Sequence, residues 1–134
     1  MKSINLLVVF LTISTIQHIT EAWKENIEKI TKQCIQETNA DPQFIIDALA
    51  NHQYPDDPQF KKFIFCFSIK FGTVDKSGNL NPEFFWKNLG GDGVSDSVIE
   101  EILEKCTVSE GTPEERTYRA FLCYQETAPE DERV

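Results

Sequence analysis

The stretch DPQFKKFIFCFSIKFG, Asp57 to Gly72, restricts what this 134-residue chain can fold into more than any other segment. Asp57 is a helix-capping residue, and Pro58 suits the first helical position, where a missing N–H has no intrahelical partner to lose. Phe60, Phe63, Ile64, Phe67 and Phe71 then recur at steps of three and four, the spacing of one helix face. Phe65 and Ile69 lie on another side, so the helix is apolar nearly all round and must be wrapped by other elements. Gly72 ends it as a C-terminal cap. So many phenyl rings on one short helix are hard to pack without gaps. They are either plain core or the wall of an apolar cavity, and Cys66 in their midst offers a point for a crosslink.

The compartment follows from the other end of the chain. Residues 1–22 read as a secretion signal: Lys2, then the apolar run Leu6–Ile13, then Thr20 and Ala22 as the small residues a signal peptidase requires. The run is far short of the about 20 apolar residues of a membrane span. Trp23 is the expected mature N-terminus, and residues 23–134 form one expected domain, secreted and without stable membrane insertion. The formal net charge of −9 argues against binding nucleic acid through its phosphates and against anionic membrane surfaces. Four cysteines, Cys34, Cys66, Cys106 and Cys123, all follow the signal. An even count in an oxidising compartment implies two disulfides, with three pairings open.

Six helices and no convincing strand are expected, an all-α domain. The first spans about Trp23 to Thr38. The second opens at Asp41-Pro42, carries Phe44, Ile45, Ala48 and Leu49, and ends near Asn51. After the loop HQYPDD comes the central helix. Asn81-Pro82 opens a short fourth (NPEFFWKNL), broken by GGDG. Ser95 caps a fifth with the stripe Val98, Ile99, Ile102, Leu103 and Cys106. Thr112-Pro113 opens a sixth, where Glu115 completes a capping box. From about residue 125 the chain becomes a short acidic tail without core-forming residues, expected to be loose.

Chemical sites fare poorly. Asp75, Ser77, Asn79 and Asn81 imitate the alternating ligands of a calcium loop, but Leu80 stands where the sharp turn needs Gly and Trp86 where a bidentate Glu belongs. A metal is therefore not expected. His52 is the one histidine after the signal and sits in a polar loop, which suits a surface residue rather than a general base. Glu100, Glu101 and Glu104 are an exposed helical face. No nucleophile, base and orienting group can be assembled, so neither an enzyme nor a cofactor is expected. What stands out is the aromatic load: all ten Phe but Phe10, with three Tyr and two Trp, follow the signal. Aromatic rings give large apolar area with few rotamers and suit a cavity that stays open.

The cysteine spacing resembles that of insect odorant-binding proteins of the four-cysteine, minus-C type. In that family the second of six cysteines stands four residues before the third, and the fifth nine before the sixth. Cys34, Cys66, Cys106 and Cys123 match the first, third, fourth and sixth. The absent pair would fall at Lys62 and Glu114, which are bridge partners in the family, so one whole bridge is missing. The resemblance implies six helices about an internal apolar cavity, the pairing Cys34–Cys66 and Cys106–Cys123, and a carrier of odorants, pheromones or similar small apolar ligands. A chemoreceptor is the implied recipient, and the carrier a monomer or weak dimer.

The expected ligand set is Phe63, Phe67 and Phe71 from the third helix and Phe84, Phe85 and Trp86 from the fourth. Val98, Ile102, Tyr118 and Phe121 complete it from the last two, with Tyr118 or Tyr124 offering a hydroxyl to an alcohol, aldehyde or ester. Protonation of Glu126 and of Glu130 to Glu132 is expected to loosen the tail. The alternative is a secreted helical protein that binds another protein, of the saliva or venom type, through exposed aromatics around Phe84 to Trp86.

Overall fold

The computed structural model describes residues 24–134, so the expected signal peptide and its expected cleavage site lie outside the described residues. Within them the chain is helical over 24–38 (α1), then in α2 (Pro42–Ala50), α3 (Pro58–Phe71), α4 (Pro82–Gly91), α5 (Asp96–Cys106) and α6 (Pro113–Thr127). No strand forms among the described residues; the nearest thing is an isolated antiparallel bridge between Val74 and Leu80.

The starts follow the local chemistry. The Asp41 carboxylate accepts from the Gln43 N–H, Asp57 from those of Gln59 and Phe60, and the Thr112 hydroxyl oxygen from that of Glu115. Each is followed by Pro at the first helical position. Gly72 ends α3 at φ 103°, in the left-handed region that favours glycine, and its N–H donates to the Ser68 carbonyl.

Three local expectations differ. α4 runs two residues past Leu89 before it ends inside GGDG, at Gly91. A helical Gly costs only about 1 kcal/mol, and the continuing turn keeps Leu89 buried at 4% exposure. Ser95 makes no capping bond to the turn that follows; its hydroxyl lies 3.2 Å from that of Ser97, and Asp96 supplies the negative charge that suits a helix start. Nor is the tail loose. α6 continues through Thr127, Ala128 is buried at 1% exposure, and a 3-10 turn over Glu130–Glu132 folds the end of the chain back onto the body.

The calcium-like loop is built for itself. The Asp75 carboxylate accepts from the main-chain N–H groups of Ser77 and Asn79 and from the Asn79 side chain, which holds its pKa below the ordinary value. Arg116 reaches across from α6 to the Val108 carbonyl (2.7 Å), the Ser77 carbonyl (2.9 Å) and the Asn79 side chain. A Cβ at Gly78 would stand 2.8 Å from the Pro113 carbonyl oxygen, so the loop can lie this close to α6 only with glycine there.

Both bridges join helices as the family resemblance implies. Cys34–Cys66 ties α1 to α3 (Cα–Cα 5.7 Å), and Cys106–Cys123 ties the end of α5 to α6 (5.4 Å). Closing loops of this size stabilises by about 3–4 kcal/mol each in the chain-entropy account.

The apolar interior is divided. One core gathers Ile30, Ile45, Phe60, Phe63, Ile64 and Tyr118 from α1, α2, α3 and α6. The other gathers Phe85, Leu89, Ile99, Ile102 and Cys106 from α4 and α5 with Ala128 after α6. None of the helices among the described residues is long and apolar enough to cross a membrane.

Candidate ligand cavity

A cavity of about 350 Å3 lies where the two cores meet. Phe67 and Phe71 bring the edge of the first core to it, with Phe121 from α6. Phe84, Phe85 and Leu89 from α4, and Tyr124 from α6, bring the second. Val74 and Leu80, on either side of the Asp75 loop, add a further wall.

The rings form a continuous ladder along this wall. Phe67 and Phe71 stack at 5.5 Å between centroids, Phe71 and Phe84 stand at 5.4 Å, Phe84 meets Phe85 edge-on at 5.7 Å, and Phe85 lies 6.0 Å from Tyr124. These separations and tilts are those that aromatic quadrupoles favour. Each ring is held by its neighbours, so the wall does not need a guest to keep its shape.

The tail lines a further side, with Asp131, Glu132, Arg133 and Val134 all facing the cavity. It is anchored chiefly through main-chain atoms. Tyr124 donates its hydroxyl to the Glu132 carbonyl (2.8 Å), Arg133 donates Nε–H to the Ala128 carbonyl (2.9 Å), and the Val134 N–H donates to Gln125 Oε1 (3.2 Å). Tyr54 donates its hydroxyl to the Val134 main-chain oxygen at 3.0 Å, and His52 Nδ1 lies 3.1 Å from the same atom. Burial, with the nearby Glu132 and Asp92 charges, pushes the Tyr124 phenol up to about 12. Burial also raises the Glu132 carboxyl, and the facing Asp92 carboxyl adds to the shift by its charge and by a hydrogen bond, as does the charge of Asp131.

Of the expected ligand residues, Phe67, Phe71, Phe84, Phe85, Phe121 and Tyr124 line the cavity. Phe63 and Ile102 are instead wholly buried, one in each core, and Val98 packs against the second. Tyr118 belongs to the first core, where its hydroxyl donates to the Tyr54 carbonyl at 2.7 Å. Trp86 faces outward at 39% exposure. Helical spacing names a face but not what the face meets, so core and cavity positions on one stripe look alike. Sequence reasoning missed the tail and Val74 with Leu80. The apolar residues bracketing an otherwise polar loop were the available signal for the latter pair.

A cystine-stapled, all-helical shell about an aromatic-walled hollow is the architecture of an insect odorant-binding protein. The family model described as the PBP/GOBP family matches residues 16–127, and the chain belongs to that family. Its four cysteines in two bridges fit the minus-C type. The chain is similar to the B2 protein of Tenebrio molitor, 27% identical over 114 residues, covering 85% of this chain and 88% of that one. The general odorant-binding protein 69a of Drosophila melanogaster is 23% identical over 101 residues, 75% of this chain and 67% of that one. Among solved structures, the medfly odorant-binding protein CcapOBP22/CcapOBP69a superposes with a TM-score of 0.62 at 25% identity, covering 78% of this chain and 90% of that chain. The fatty acid binding protein OBP56a from the oral disk of the blowfly Phormia regina gives 0.69 at 20%, covering 84% and 95%, and supports the fold.

Proposed function

We propose that this protein is a secreted, non-enzymatic carrier that takes one small apolar molecule into the cavity between its two cores. The observation that carries this reading is the aromatic ladder facing an unfilled space of about 350 Å3. That volume lies at the lower end of the about 300–1,000 Å3 of small-molecule pockets and suits a single guest. Affinity comes from apolar burial, at about 25 cal/mol per Å2. Odorants and pheromones are the class that family membership supports, with a chemoreceptor as recipient. The residues that hold the guest are Phe67, Phe71, Phe84, Phe85, Phe121 and Tyr124.

The alternative of a protein-binding module called for an exposed aromatic patch over Phe84 to Trp86. Phe84 is half-buried and Phe85 is 4% exposed, which leaves Trp86 alone at the surface. The deciding experiment is titration of the purified protein with an apolar naphthylamine dye, followed by displacement with neutral apolar volatiles. The expected outcome is saturable uptake of one dye per chain, displaced competitively. Absence of any uptake would refute the carrier.

A further inference from the structure

Two polar groups in the cavity wall have no partner. The Thr117 hydroxyl, on a residue 1% exposed, and the Gln125 amide nitrogen are both buried and both without a hydrogen bond. Such groups are rare, because each forfeits its bonds to water and receives none in return. The expected hydroxyl donors of the cavity are already committed: Tyr118 donates to the Tyr54 carbonyl and Tyr124 to the Glu132 carbonyl.

Gln125 is also oriented. Its Oε1 accepts from the Val134 N–H, so the amide cannot turn over without losing that bond, and its Nε2 is left as a donor. The same contact places Gln125 at the tail end of the cavity. Thr117 sits eight residues earlier on α6, a separation of about 12 Å along the helix axis.

Resting on the carrier reading, we propose that Thr117 and Gln125 are the specificity-determining polar anchors of the cavity. They select an elongated apolar molecule with a neutral carbonyl at the tail end and a second oxygen deeper in. The carbonyl oxygen accepts from Gln125 Nε2, and the second oxygen pairs with the Thr117 hydroxyl. The carbonyl is neutral because Asp92, Asp131 and Glu132 line the cavity at that end against Arg133 alone. Arg133 Nε is spent on the Ala128 carbonyl. A carboxylate would meet net negative charge there, whereas an ester or aldehyde would not. Because the closed tail is what orients Gln125, recognition of the carbonyl is tied to closure.

The test is dye displacement at neutral pH by four compounds of matched length. These are methyl dodecanoate, its ω-hydroxy derivative, dodecanoate and tridecane. The expected ranking places the ω-hydroxy ester above the plain ester, and the plain ester above both the carboxylate and the hydrocarbon. Each step is about tenfold, the size of one net hydrogen bond. Gln125→Glu keeps an acceptor for Val134 but removes the donor. It should lower the ester-to-hydrocarbon affinity ratio about tenfold. Thr117→Val should lower the ratio of ω-hydroxy to plain ester to a similar extent, and Thr117→Ser should retain it. The wild-type ranking stands as a test even where a variant folds poorly. Dye uptake with no preference among the four compounds overturns the anchors and leaves the carrier intact, while no uptake of dye or of any compound overturns both.

Discussion

Glu132 shows how one carboxyl couples the tail to pH. It is faced by Asp92 from the end of α4 and by Asp131 beside it, with Tyr124 from α6 donating to its main-chain oxygen and Arg133 following it in the chain. Its folded pKa is raised above the ordinary 4.5, first by burial and then by Asp92. A group raised on folding contributes stability that is fully present below its unfolded value and is lost as pH rises through the folded one. Acidification through that window should therefore strengthen the tail's hold at Glu132 itself, whereas the tail's composition led to an expectation of loosening. Asp75 runs the other way: its pKa is lowered by the N–H bonds of its own loop, so its contribution is lost only as pH falls through the lowered value. Glu132→Gln imitates the protonated state. It should raise the thermal midpoint slightly at pH 7, and the gap to wild type should close between neutrality and pH 4.5. A gap that widens on acidification would contradict the assignment. No composition rule could have shown this sign, because it depends on which carboxyl faces which.

At the scale of elements, much was legible because the starts of helices are written in side chains. Asp41, Asp57 and Thr112 each precede Pro and each accepts a bond from the first turn. The stripes of α3 and α5 gave the correct buried positions in Phe60, Phe63, Ile99 and Ile102. What stayed hidden was the division into two cores, since a stripe carries no record of which partner helix it meets. The missing third bridge belongs to this scale. Lys62 on α3 and Glu114 on α6 line one surface groove beside the Cys34–Cys66 bridge, so the positions that the family resemblance pairs do come to the same place. Replacing both, Lys62→Cys with Glu114→Cys, should form a third disulfide, seen as the absence of free thiol after oxidative folding. The chain-entropy account gives about 3–4 kcal/mol for such a closure, less where the existing bridges already restrict the unfolded chain. A rise of several degrees in the midpoint is expected. Persistent free thiols in a folded double variant would show that α3 and α6 do not bring these positions into register.

Across the whole molecule, the decisive contacts are those between the end of the chain and the body. The tail is tethered through the main-chain atoms of Ala128, Glu132 and Val134, and contacts of that kind leave no periodic side-chain pattern. This is why an acidic, apparently coreless segment gave no sign of being a cavity wall. Its removal separates two ways in which the proposed carrier would hold a guest. If the ring ladder alone retains the ligand, losing residues 130–134 costs little, since Phe67, Phe71, Phe84 and Phe85 are fixed by one another. If the tail also stabilises the bound guest, the same truncation speeds dissociation more than association, because affinity differences within one site arise mainly from the off-rate. The geometry favours the second outcome: four tail residues face the cavity, and Tyr54, packed against the first core, holds the last of them. Ending the chain at Pro129 keeps Ala128 in the second core and both cystines in place, so the helical fold should survive, as circular dichroism can check. Stopped-flow displacement of the bound dye should then give an off-rate at least about tenfold faster than wild type, equivalent to about 1.4 kcal/mol of lost retention. An unchanged off-rate in a folded truncated chain would assign retention to the aromatic wall alone.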